Sequence, residues 1–95
     1  MEGSAAELYA SFVERDRAAV DALRERVRAL ERAEVEAWFQ CIAFSAEDAD
    51  PDDRAFARHH RAQLQTDLTA SREDLVVAER RHARYERTLT TLTPH

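Results

Sequence analysis

The chain has almost none of the residues that interrupt helices, with one glycine and two prolines in 95 residues. An all-β fold needs a turn every ~8–12 residues, and such turns depend largely on glycine and proline. Phosphate-binding loops need several glycines close together. The scarcity of these two residues therefore excludes a β-sandwich, a β-barrel and a nucleotide-binding loop, and it favours long helices.

Lysine is absent, so all 14 basic residues are arginine, and they are outnumbered by 19 acidic residues for a net charge of −5. A net negative chain with no basic cluster is a poor nucleic-acid binder, because that affinity comes largely from neutralising phosphates. An acidic balance also disfavours anionic membrane surfaces. Arginine without lysine, together with 18 alanines, is typical of GC-rich bacterial genomes. We expect neither a nucleic-acid partner nor a membrane partner.

Cysteine is nearly absent as well, since Cys41 stands alone and cannot form an internal disulfide. A single cysteine favours a reducing compartment. No apolar run reaches the ~18–20 residues of a membrane span. The first residues, Met1 to Ser4, also lack the basic and apolar segments of a secretory signal. These features predict a cytoplasmic protein.

One strong turn signal divides the chain, in the acidic stretch that reads AEDADPDD from residue 46. Asp50 suits a helix N-cap and Pro51 suits the first helical position. A capping-box pattern from Ser4 to Glu7 predicts where the first helix begins, and Pro94 marks the end of the second.

These signals predict an all-α fold of two long helices in a single hairpin domain over residues 1–95. Helix 1 is expected at about residues 5–45, an acidic turn at about 46–50, and helix 2 at about 51–92. A turn this short forces the two helices to lie antiparallel.

Both helices carry a seam of mostly apolar residues at alternating steps of three and four, the a/d pattern of a coiled coil. The seam positions are Tyr9, Val13, Asp16, Val20, Leu23, Val27, Leu30, Glu34, Ala37, Cys41 and Phe44 in helix 1, and Ala57, Arg61, Leu64, Leu68, Ser71, Leu75, Ala78, His82, Tyr85, Leu89 and Leu92 in helix 2. With the turn centred near Ala49, each layer of one helix finds a facing layer in the other, such as Leu30 with Leu68. This agreement predicts an antiparallel coiled-coil-like hairpin.

Two layers of the seam are polar. The register places Asp16 opposite His82, and it places Glu34 opposite Leu64, within a turn of Arg61. Polar seam residues often fix the register of coiled coils, so we expect these four to form register-setting polar pairs. Histidine titrates near neutral pH, and a facing carboxylate stabilises its charged form, so the Asp16–His82 layer is also a candidate pH-responsive element.

A second apolar stripe runs along the end of helix 1, away from the seam, and consists of Val35, Trp38, Phe39 and Ile42. A lone hairpin has no second layer to cover these side chains, which predicts that they form an interface. One interpretation is a homo-oligomer, typically a dimer that completes a four-helix bundle. The other is a docking surface for a different protein.

Glu79 and His82 form an E-x-x-H pattern. Its spacing resembles that of ferritin-like di-iron bundles, and the short two-helix encapsulated ferritins build such sites by dimerising. With Asp16 facing His82, this resemblance implies an alternative function, a metal-binding or redox bundle that uses these three residues across a subunit interface. The seam offers fewer inward carboxylates than that family requires, so we expect no metal and no other cofactor.

No Ser/His/Asp order or other catalytic arrangement is present, and two helices leave little room for a pocket. We therefore expect a non-enzymatic protein that acts through protein–protein interaction, as an adaptor, a small chaperone or a structural subunit. Its expected partners are a second copy of itself and, as the open alternative, another protein.

Overall fold

The computed structural model describes residues 2–93, with side chains from residue 5 onward, and it contains two long helices. Helix α1 is Glu2–Ala43 and helix α2 is Pro51–Leu92, joined by a turn at residues 44–50. The described residues contain no strand, so the predicted all-α class is confirmed. The helices are this long because alanine favours helix strongly and neither helix interior carries a proline.

The ends of α1 differ from the sequence-based prediction. The helix already includes Ser4, so this residue is not the N-cap that the capping-box pattern predicted. Backbone donors at a helix start can bond to water instead of to a capping side chain. At the other end, α1 stops at Ala43 rather than at about residue 45, and the Ser45 amide and hydroxyl both donate to the carbonyl of Ile42. Pro94 lies outside the described residues.

The start of α2 follows the sequence prediction. The amide of Asp52 donates to Oδ1 of Asp50 at 2.8 Å, and Pro51 is the first helical residue. The amide of Arg54 donates to the carbonyl of Asp50 at 3.0 Å, which is the first α-helical hydrogen bond. Asp52 and Asp53 lie in the first turn, where negative charge stabilises the positive end of the helix dipole.

Arg54 closes the turn from the α2 side. Its Nε donates to the carbonyl of Phe44 at 3.0 Å, and its Nη2 donates to the carbonyl of Ala46 at 2.9 Å. The last turn of α1 has no basic residue, and no residue in the described chain has the left-handed conformation that commonly ends a helix. Arg54 therefore supplies hydrogen bonds and positive charge at the end of α1, where carbonyls are left unpaired.

The chain divides into two compact units, each of which contains part of both helices. Glu25–Arg72 holds the turn and the segments on either side of it, and the other unit combines Met1–Arg24 with Glu73–His95. In the first unit, Arg26 contacts Ser71 and Arg61 contacts Glu34, so the helices run antiparallel. In the second unit, the contacts of Asp16 with Arg81 and of Tyr9 with Tyr85 show the same antiparallel order. The chain is a helical hairpin.

The core follows the predicted seam and is built mainly from small side chains. All the buried residues are seam positions, namely Val13, Asp16, Val20, Val27, Ala37, Ala57, Leu68, Ser71 and Ala78. Leu92, predicted to lie in the seam, is 38% exposed, because α2 ends at this residue and nothing in the described chain covers it. Neither described helix has a stretch long and apolar enough to cross a membrane.

A substitution at Ala57 tests how closely the helices approach, because Ala57 is only 1% exposed. Ala55 lies exposed on the same helix. We expect Ala57→Leu to lower the free energy of unfolding by about 1–3 kcal/mol, since added methylenes overpack a tight core. Ala55→Leu is the matched control and should change stability by less than ~0.5 kcal/mol. Urea denaturation followed by circular dichroism measures both. Equal stability of the two variants would contradict close packing at Ala57.

Candidate functional site

The predicted second stripe is exposed in the structure and forms a continuous apolar cluster on α1, in the unit Glu25–Arg72. Val35, Trp38, Phe39 and Ile42, which we call the apolar cluster, are each between 43% and 59% exposed. The rings of Trp38 and Phe39 lie 5.2 Å apart at an interplanar angle of 52°. Steps of three and four place all four residues on one side of the helix, so they offer a single contact surface.

The apolar cluster contains four of the exposed large apolar side chains, and others lie elsewhere on the two helices. Among the described residues, nine large apolar side chains are exposed, whereas only Val13, Val20, Val27 and Leu68 are both large and buried. The other exposed ones are Leu8, Phe56, Val76, Val77 and Leu92. Scattered exposed apolar residues are normal, but contiguous apolar patches mark interaction surfaces. Among the described residues, more large apolar side chains are exposed than are fully buried, and most of the other large apolar seam residues are partly covered.

Glu34 and Arg61, the first polar pair, contact each other. Nε of Arg61 donates to Oε1 of Glu34 at 2.9 Å, and Nε2 of Gln65 donates to the same oxygen at 3.3 Å. Arg61 and Glu34 are half-buried whereas Gln65 is exposed, and the two contacts connect α1 to α2 within the unit Glu25–Arg72. Arg61 and Glu34 therefore contact each other across the seam, as a pair that fixes the register must do.

The second polar pair has a different partner from the one predicted. Oδ2 of Asp16 accepts a hydrogen bond from Nε of Arg81 at 3.0 Å, while Nε2 of His82 lies 2.9 Å from Oε1 of Glu86 on its own helix. Arg81 rather than His82 pairs with Asp16, because the long arginine side chain reaches the buried carboxylate from the flank of the seam. Part of the guanidinium stays in water. The Asp16–His82 ion pair on which the pH-responsive hypothesis depended is not formed.

His82 remains an unusual group in this layer. Its side chain is mostly buried, and its Nδ1 has no hydrogen-bond partner among the described residues. Since Nε2 faces the carboxylate of Glu86, the proton of a neutral ring belongs on Nε2, which leaves Nδ1 as an unpaired acceptor. An acceptor left unpaired in a buried position costs free energy, so Nδ1 of His82 adds no stability to this layer.

The three candidate metal ligands are held apart by separate partners. Asp16 is engaged by Arg81, His82 by Glu86, and Glu79 by Nη2 of Arg24 at 3.4 Å. Across the described part of the chain, no three His, Cys, Asp or Glu side chains are grouped so as to hold a metal ion. Within a single chain, the E-x-x-H pattern thus lacks the third ligand that its resemblance to di-iron bundles requires.

The structure also reveals a basic surface that the sequence analysis missed. Arg80, Arg84 and Arg87, which we call the arginine stripe, are exposed on α2 and line one shallow groove together with Val77. Within the described residues, none of the three has a carboxylate within ion-pair distance, and Arg84 lies 5.8 Å from the Tyr85 ring centroid. The helical spacing of the three arginines was the available signal, and the low overall charge obscured it.

Comparison with known proteins adds no assignment. No protein-family model, no curated protein and no solved structure matches this sequence.

Double-mutant cycles test the corrected pairing of Asp16. We expect Asp16→Asn and Arg81→Gln to couple by about 1 kcal/mol, because the carboxylate is 6% exposed while the guanidinium is 42% exposed and partly screened by water. The cycle of Asp16→Asn with His82→Gln should give a coupling energy near zero. Thermal melts of the single and double variants provide the values.

Glu14 and Arg17 supply the control pair, because both are more than half exposed although their atoms approach to 2.7 Å. Their coupling should be at most ~0.5 kcal/mol. A larger coupling for Asp16 with His82 than for Asp16 with Arg81 would restore the original pairing and refute the contact described above.

Elemental analysis of the purified protein tests the metal alternative. We expect no stoichiometric iron, zinc or manganese, because Asp16, Glu79 and His82 each have another partner. His82→Ala should leave the trace metal content unchanged, as should His59→Ala, its control on the exposed face of α2. A stoichiometric metal that disappears in His82→Ala and stays in His59→Ala would establish the ferritin-like alternative.

Proposed function

We propose that this protein is a non-enzymatic assembly component that acts through protein–protein contacts of its apolar cluster. The observation that carries the proposal is the exposure of four adjacent large apolar side chains, Trp38 and Phe39 among them, on a hairpin that has no second layer to cover them. Aromatic side chains dominate the energetics of protein interfaces because they bury much apolar area with little loss of conformational entropy.

The partner that fits this surface best is a second copy of the chain. Two hairpins packed face to face make a four-helix bundle, the ordinary way for paired helices to gain a second layer. Twofold homodimers are the commonest closed assemblies of soluble proteins. The thin core supports the same conclusion, since three of its seven buried apolar residues are alanines and a small core gains stability from association.

The biological role that follows is that of a structural subunit, an adaptor or a small chaperone, with a cytoplasmic location. Cys41, the free cysteine, is compatible with a reducing compartment. Docking of a different protein on the apolar cluster is the competing outcome, and measurement of the oligomeric state separates the two.

The self-association test compares two phenylalanines. The wild-type protein should be a dimer or larger at micromolar concentration, as measured by light scattering on a sizing column. Phe39→Asp should dissociate it, because the substitution places a charge in the centre of a buried apolar contact. Adding Trp38→Asp should remove the remaining association.

Phe56→Asp is the matched control, since Phe56 is 68% exposed and lies outside the apolar cluster. This variant should keep the wild-type oligomeric state, and all variants should keep their helical circular dichroism. A fully helical wild-type monomer would refute self-association, and equal dissociation by Phe39→Asp and Phe56→Asp would refute the assignment to the apolar cluster.

A further inference from the structure

We infer that in the self-associated protein the acidic turn region of one copy docks on the arginine stripe of the other copy. This inference rests on the proposed self-association and adds which surfaces meet. The acidic turn region is defined as Glu47, Asp48, Asp50, Asp52 and Asp53, and it belongs to the unit Glu25–Arg72. The arginine stripe belongs to the other unit.

Among residues 5–93, the arginine stripe has no anionic partner, because the carboxylates nearest to it in sequence are engaged elsewhere. Glu79 forms an ion pair with Arg24, and the carboxylate of Glu86 contacts the ring of His82. Asp16, which reaches this side of the hairpin, is held by Arg81. Seven of the other arginines make ion pairs with carboxylates, and Arg26 and Arg54 donate to a hydroxyl and to carbonyls. Two more arginines of the described residues, Arg15 beside the Phe12 ring and Arg58, also lack a carboxylate partner, but they stand apart from each other. Three unpaired guanidinium groups gathered on one face therefore distinguish the stripe.

The acidic turn region shows the opposite imbalance. Its five carboxylates have no arginine within ion-pair distance among the described residues, and the adjacent guanidinium of Arg54 donates to the carbonyls of Phe44 and Ala46 instead. Asp50 caps α2, and Asp52 and Asp53 lie at its N-terminus, so these three already serve the fold. Glu47 and Asp48 are exposed and free to meet a cation.

Apolar side chains accompany both charged surfaces. The apolar cluster lies in the same unit as the acidic turn region, and exposed Val77 lines the groove of the arginine stripe. Each surface thus combines uncovered apolar area with uncompensated charge, and the two charges have opposite sign. Complementary charges fix which surfaces meet, while apolar burial supplies affinity.

The charges also select between two arrangements of a twofold dimer. If like surfaces met, carboxylates would face carboxylates and guanidinium groups would face guanidinium groups, and both contacts would be repulsive. If the acidic turn region meets the arginine stripe, a twofold dimer contains this attractive contact twice. The second arrangement is the one that the charge distribution favours.

Charge reversal tests the inference with variants that spare the fold. Arg80→Glu with Arg87→Glu reverses the stripe without touching Arg84, which lies over the Tyr85 ring. Glu47→Lys with Asp48→Lys reverses the turn without touching the residues that start α2. The dimer dissociation constant is measured by sedimentation equilibrium at low salt.

We expect each reversed variant to weaken dimerisation by about tenfold or more, since attraction becomes repulsion at both contacts.

The chain that carries all four substitutions should recover wild-type affinity. An equimolar mixture of the variant with the reversed stripe and the variant with the reversed turn should form a heterodimer. Salt at 0.5 M should weaken the wild-type dimer because it screens exposed charges. Arg17→Glu with Arg28→Glu is the control of equal charge change and should leave the constant within about threefold.

The outcomes separate this inference from the function on which it rests. A wild-type monomer refutes self-association itself. A wild-type dimer that neither reversal weakens refutes the docking of the acidic turn region on the arginine stripe and leaves the apolar cluster as the interface. Loss of affinity in both reversed variants without recovery in the fourfold variant also refutes it, because then the changes act separately rather than through one contact.

Discussion

A hairpin of two helices has a single seam, and this geometric constraint governs the rest of the structure. Each helix can bury one stripe of side chains against the other, and the opposite side of each helix faces solvent. The buried stripe here is valine, alanine, one leucine, one serine and one aspartate. Large apolar residues placed off that stripe have no partner within the hairpin. Their exposure follows because the described residues form only two helices.

The scarcity of glycine explains how the turn is built. A helix commonly ends with a glycine in the left-handed conformation, but the only glycine of this chain is Gly3. The chain uses Arg54 from the beginning of α2 to bond the carbonyls at the end of α1, and it uses Asp50 to start α2 in the ordinary way. Each helix end adjoining the turn is thus satisfied by a side chain from the opposite side of the turn or from the turn itself, and this couples the two ends.

The parts of the structure that could be predicted from sequence are those that depend on local periodicity. The seam is a repeat of three and four residues, so the buried positions and the antiparallel register followed from it. The exposed cluster on α1 followed from the same repeat. The partner of Asp16 could not be predicted in this way, because it depends on how far a side chain reaches. The register paired Asp16 with His82, but the guanidinium of Arg81, the residue next to His82, donates to the carboxylate instead. The role of Arg54 could not be predicted either, because a hydrogen bond from a side chain to backbone carbonyls leaves no pattern in the sequence.

Arginine is the residue through which this hairpin connects its helices. The side chains that donate hydrogen bonds from one helix to the other, or from α2 to the turn, are those of Arg24, Arg26, Arg54, Arg61 and Arg81, with Gln65 as the exception among the described residues. A guanidinium carries five donors on a long stem, so it can satisfy a buried acceptor from the edge of the seam while remaining partly hydrated. Five arginines have no hydrogen-bond or ion-pair acceptor among the described residues, and three of the five, Arg80, Arg84 and Arg87, fall on one face of α2. Because the chain engages most of its arginines internally, the free guanidinium groups of Arg80, Arg84 and Arg87 indicate where it has donors left for another molecule.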